Sequence, residues 1–205
     1  SWRCDSGDSF LNFNPAIIVD SSHTLVFDSL PYAKDYTTVV VYKPVVEAEA
    51  MVWRLDYDTV AMRGLTTEHT LSGHVAIRYT ETTTDIPVIN TLRQSWPATL
   101  QSEHFQNGEP DSTSPYVRLM LGGDTLPGRI KVAEVLYYNR RLGNAMLRRL
   151  QSALALRYGI TLGPVDYISG KGERIWKYSC DSTCYHHRVT GVGADTVYGV
   201  CQQRS

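Results

Sequence analysis

The 205-residue sequence has no run of 18 or more apolar residues, so no segment of it has the length and character of a membrane-spanning helix. It has no excess of either charge. Twenty Lys and Arg stand against 21 Asp and Glu, a net charge of −1, whereas a duplex-DNA binder carries a clear basic surplus. The opening SWRCDSGDSF shows neither the charged nor the apolar region of a secretory signal, so the chain reads as a mature product or part of a longer one. No Gly-x-Ser-x-Gly elbow occurs. Gly191-Val192-Gly193 lacks the third glycine and the following helix that a phosphate-binding loop needs. No repeat of 20 to 50 residues appears.

What the chain does have is residues suited to a pleated surface. Thr and Val each occur 19 times and Tyr 13 times, with 15 Gly and 9 Pro scattered as punctuation. Thr37–Lys43 is a short apolar run stopped by Pro44 and predicts a buried central strand; Phe10–Asp20 contains a proline and suits an edge or entry strand. Met51–Tyr57 places Met51, Trp53, Leu55 and Tyr57 on one face, and His74–Thr80 does the same for Val75, Ile77 and Tyr79. Tyr116–Leu121, stopped by Gly122-Gly123, and Ile130–Asn139 complete the main strand set. Tyr137 and Tyr138 are expected on opposite faces. Tyr167-Ile168, Glu173–Tyr178 and Val197–Cys201 follow as short strands.

One segment has a different period. From Asn144 to Tyr158, Met146, Leu147, Leu150, Leu154 and Tyr158 recur at three and four residues, predicting an amphipathic helix with Asn144 as N-cap and Gly159 as a left-handed stop. Many strands and one late helix predict a β-sandwich, the helix covering a sheet edge or open end. A seam is expected at Leu162-Gly163-Pro164, separating residues 1–162 from a cysteine-bearing tail at 163–205.

Cys4, Cys180, Cys184 and Cys201 make an even set that fits an oxidising compartment. Pairing Cys180 with Cys184 and Cys4 with Cys201 is the plainest arrangement; four buried thiols are the alternative. Cys180 and Cys184 also have zinc spacing, but the adjacent His186 and His187 point to opposite faces of a strand, which favours a clipped loop over a metal site. Five arginines, Arg140, Arg141, Arg148, Arg149 and Arg157, form a basic run whose simplest reading is a solvated helix face.

FLNFNPAIIVD at 10–20 resembles the opening strand of the concanavalin A-like (laminin-G-like) jelly-roll domains of Bacteroidetes surface proteins. RIKVAEVLYYNRRLGNAMLRRLQSALALRYGITL at 129–162 resembles their closing strand and helix, and YISGKGERIW with GVGAD resembles the segment that follows. The resemblance implies an all-β two-sheet jelly roll with one C-terminal helix, in an extracellular or cell-surface protein of several domains. It implies no activity. A non-catalytic binding or adhesion module, with a glycan or a surface protein as partner, is the expectation; a structural spacer is the alternative, and a glycoside hydrolase trails.

Hydrolysis needs two facing carboxylates. Glu47-x-Glu49 and Asp56-x-Asp58 have strand spacing but lack the third acid of the laminarinase-like relatives. Calcium, which such sandwiches often bind, would draw on Asp20, Asp28 or Asp124, although turn capping explains all three; no other cofactor is expected. Trp96 and Trp176 are the expected sugar-stacking rings, while Trp53 belongs to the core.

Overall fold

The run at 37–43 is the most deeply buried strand because both its faces are covered. In a computed structural model, which describes residues 4–5, 11–33, 35–56, 63–72, 75–94, 116–123, 125–178, 193–195, 197 and 200–202, every residue from Tyr36 to Pro44 is buried. The described strands are β1 (Cys4–Asp5), β2 (Ala16–Val19), β3 (Leu25–Pro31), β4 (Tyr36–Pro44), β5 (Met51–Asp56), β6 (Arg63–Thr66), β7 (His69–Ser72) and β8 (Val75–Arg78). After them come β9 (Val88–Gln94), β10 (Tyr116–Leu121), β11 (Ile130–Tyr138), the helix α1 (Asn144–Tyr158), β12 (Tyr167–Ile168), β13 (Arg174–Trp176), β14 (Gly193–Asp195) and β15 (Val200–Gln202).

Two antiparallel sheets make the sandwich. The first has the order β1-β2-β11-β4-β9 and the second β3-β10-β5-β6-β7-β8. Between them lie Tyr36, Val40, Tyr42, Ile130 and Val132 from the first sheet, and Trp53, Leu55, Leu65, Val117, Leu119 and Leu121 from the second. Each Val or Leu buried there contributes about 1.5–3 kcal/mol. The alternate residues of β4, Val39 and Val41, point to the other side and lie under Leu147, Leu150, Leu154 and Tyr158 of α1. The helix therefore covers the back face of the first sheet, rather than the edge or open end the sequence suggested. A strand with a sheet on one side and a helix on the other has no solvent face, which is why TTVVVYK does not alternate.

The N-cap lies one residue before the expected Asn144. Gly143 takes that position, and Asn144 Oδ1 accepts from Arg93 at 2.6 Å. The other end of the helix is as expected. Gly159 has φ of 64°, and its backbone N–H turns back onto the Ala155 carbonyl, a conformation that suits a residue without Cβ. The opening segment is shorter than expected, because only Ala16–Val19 of it is strand. Before it, Asn12 and Phe13 take positive φ of 51° and 59°, and the chain loops under the helix. The Asn12 and Asn14 amides each donate to the Arg157 carbonyl, at 3.0 and 2.9 Å, adding to the glycine cap at that helix end.

The tail packs on the helix's remaining side. Buried Ser152 accepts from the Ile168 N–H at 3.0 Å, and the Tyr167 hydroxyl accepts from the Leu162 N–H and donates to the Ile160 carbonyl, both at 3.2 Å. Contacts thus cross the expected seam at 162–164. Cys180 and Cys184 lie outside the described residues, as do the side chains of Cys4 and Cys201. Tyr137 and Tyr138 do diverge, toward the inter-sheet core and the helix layer respectively. Ile77 is 55% exposed, because β8 is an edge strand.

Buried phenols set an alkaline limit. Burial raises the pKa of Tyr42, and Tyr79 beside it adds to the effect; burial and the neighbouring Glu134 raise that of Tyr158; burial pushes Tyr137 up to about 12. An unfolded tyrosine titrates near 10. The folded state holds these protons more tightly, so their contribution is complete below about pH 10 and is lost as pH rises toward the folded values. Urea midpoints should be level to about pH 9.5 and fall steeply through pH 11; a midpoint unchanged at pH 11.5 would refute the assignment.

Candidate functional site

The back of the first sheet is covered, whereas the outward face of the second bears exposed side chains. Strict alternation in YVRLML turns Val117, Leu119 and Leu121 inward and Tyr116, Arg118 and Met120 outward. On β3 a bulge lets Asp28 and Ser29 together oppose Arg118, with Ser29 held at φ of 64°. On β5, Asp56 pairs with Arg118 and Arg54 with Met120.

The result is a ladder of planar polar groups. Arg118 Nε lies 2.6 Å from Asp28 Oδ1, and Arg54 Nε lies 2.9 Å from Asp56 Oδ1, with Arg54 Nη2 donating to Met120 Sδ at 3.2 Å. Tyr116, 53% exposed, stands at one end and Val26 at the other. Exposed ion pairs contribute only about 0–1 kcal/mol each to stability. The exposed Arg118–Asp28 pair therefore adds little to the fold, whereas Arg54 and Asp56 are half-buried; together the two pairs set hydrogen-bonding groups beside an exposed ring.

A second cluster lies where the β4–β5 connection meets the β6–β7 turn. Half-buried Glu49, Glu68 and His69 bring carboxylate and imidazole atoms within 4.8 Å of one another. His69 Nδ1 is 2.7 Å from Glu49 Oε1, which also accepts from the Thr66 hydroxyl. Glu68 accepts from the Thr82 hydroxyl at 3.0 Å and pairs with Arg78 at 3.2 Å. The Thr82 hydrogen bond, with the Arg78 charge behind it, lowers the Glu68 pKa. Tyr79 donates to the Thr66 carbonyl at 2.8 Å. Each acid already has protein partners, so the cluster works as a clasp between turns and its donor set makes no case for a metal.

Beside β3, the side of the sandwich opens into two apolar clefts of about 330 and 430 Å³, which share Phe27 and Val135. Their walls are mostly apolar, which gives a polar ligand little to orient it.

The residues singled out from sequence scatter. Trp96, Asp124, Asp58, His186 and His187 lie outside the described residues. Trp176 is half-buried, its ring 5.2 Å from Tyr167 edge-on and 6.1 Å from Tyr178, so it is packed into a small aromatic group rather than presented as an open platform. Asp20 is a turn residue. Burial opposes its ionisation, but hydrogen bonds from His23 and the Ser22 and His23 N–H groups lower its pKa. Asp28 is on a strand and faces a guanidinium. Glu47 is exposed in the connection after β4, so it shares no strand face with Glu49. Of the arginines, Arg157 lies 3.3 Å from Glu134, and Arg149 donates to the Gly170 carbonyl, its guanidinium resting against Gly172. Tyr116, Arg118 and Arg54 were not anticipated, although the alternation of YVRLML carries the signal for the first two.

A family model described as a domain of unknown function (DUF8202) matches residues 146–205, which take in nearly all of α1 and the tail. No curated protein matches the chain. Among the described residues no helix is long and apolar enough to cross a membrane. The class defined by the described residues is a two-sheet all-β sandwich carrying one helix, with exposed polar side chains on the outer face of β3 and β10.

Proposed function

We propose that this chain is a non-catalytic carbohydrate-binding or adhesion module of an exported bacterial surface protein, built as a concanavalin A/laminin-G-like jelly roll. The observation that carries the reading is the exposed Tyr116 ring beside the Arg118–Asp28 and Arg54–Asp56 pairs. Sugar recognition uses that combination, an aromatic face for the ring C–H groups and fixed polar groups for the hydroxyls. Ion pairing supports the non-catalytic part. A glycosidase needs two carboxylates facing the scissile bond, whereas Asp28, Asp56 and Glu68 are each paired with an arginine side chain.

The test is a glycan array with the purified chain, run with calcium and then with chelator. Reproducible binding to one glycan class is expected in both conditions. Silence in both would defeat the reading in favour of a spacer or protein-binding module, and loss on chelation would place a calcium ion in the site.

A further inference from the structure

We infer that the site on the outer face of the second sheet selects uncharged sugars, through neighbouring hydroxyl pairs, and requires no bound cation. This rests on reading that face as glycan-binding.

Among the described residues the ladder is electrically balanced. Two carboxylates, Asp28 and Asp56, face two guanidiniums, Arg118 and Arg54, at 2.6 and 2.9 Å. A uronate or sulfate approaching either guanidinium would come as close to a fixed carboxylate of its own sign, and like charges at that range repel about as strongly as the opposite pair attracts. An anionic ligand would have to displace an Asp to bind. A hydroxyl would not. It can donate to a carboxylate oxygen and accept from a guanidinium N–H, so a pair of sugar hydroxyls can meet both members of one ion pair. A carboxylate offers about four acceptor sites, more than one ion pair consumes.

The same balance argues against a cation. Calcium takes six to eight oxygen ligands, several of them carboxylates. Here each carboxylate already has a positive group beside it, and Asp20, the other described calcium candidate, is held by His23 and by Arg129 at 3.4 Å. The basic run on and around α1 lies behind the other sheet and does not alter the ladder's charge.

The experiment is calorimetric titration of the whole chain, in chelator and again with added calcium. Neutral cello-, manno- and galacto-oligosaccharides are compared with oligogalacturonates and heparin oligosaccharides, each at about 20 mM and about 500 mM salt. Binding confined to a neutral series, with Kd changing less than about twofold between the salts, is expected. The double variant Asp28→Asn with Asp56→Asn leaves two guanidiniums unbalanced. It should gain at least about tenfold in affinity for oligogalacturonate at low salt, because attraction remains without the opposing charge.

Preferential binding of the anionic series by the unaltered chain, abolished by Tyr116→Ala, would overturn the neutral-sugar inference while leaving the glycan-binding face intact. A requirement for calcium would overturn the cation-free part in the same way. No binding to any series, with or without calcium, would overturn both this inference and the reading on which it rests.

Discussion

Leu150→Arg should cost the fold about 3–5 kcal/mol, measured as the loss of unfolding free energy in urea. Leu150 is 4% exposed and sits in the layer formed by Val39 and Val41 of β4 with Leu147 and Leu154 of the helix. Truncating a leucine in such a place costs about 2–5 kcal/mol from lost burial and the cavity left behind. Arginine adds a charge that must be desolvated or escape by prising the helix off the sheet. Either route also uncovers Val39 and Val41, so the consequence reaches the centre of the first sheet. A helix lying loosely on the surface would tolerate the change within about 0.5 kcal/mol, and that result would defeat the helix-on-sheet packing.

Tyr116→Ala should do the reverse. The ring is half exposed and lies outside the inter-sheet core, so unfolding free energy should stay within about 0.5 kcal/mol of the parent. Affinity for whichever glycan the chain binds should fall by at least about tenfold, because an aromatic contact of this kind is worth on the order of 1.4 kcal/mol or more. The two variants separate fold from function. One side chain is under the helix and holds the layers together; the other faces solvent and, on this account, meets the sugar. Unaltered binding by a normally folded Tyr116→Ala protein would move the ligand to another surface.

The parts of the fold that were legible in the sequence are those where one local pattern suffices. Tyr116–Leu121 alternates, and its strand bounds match the structure; α1 has helical period, and its glycine stop is where the pattern put it. The edge strand β3 escaped notice because LVFDSLP mixes Asp, Ser and Pro into a short apolar run, which reads as a loop until a neighbouring strand supplies its hydrogen bonds. FLNFNPAIIVD reads as strand throughout, but its asparagines are more useful to the helix C-terminus than to a ladder, and residues 12 and 13 turn left-handed to reach it.

The candidate site was half legible for a related reason. Arg118 and Asp28 are 90 residues apart in sequence, and they meet only because β3 pairs with β10 and a bulge at Ser29 aims Asp28 across. From sequence, Asp28 looks like a strand-ending carboxylate. Glu49 and Glu68 are likewise joined by turn geometry, so the acid-x-acid spacing at 47–49 pointed to the wrong partner. Trp176 looked exposed because its sequence neighbours are charged, yet Tyr167 and Tyr178 close around it.

The most direct test of where ligand sits is amide chemical-shift mapping of the isotope-labelled chain, titrated with a neutral oligosaccharide that binds on the array. The account predicts perturbations concentrated at residues 26–29, 54–56 and 116–120, on three adjacent strands of one face. Perturbations concentrated instead at Glu49, Thr66–His69 and Thr82, or around Trp176 in the tail, would contradict it.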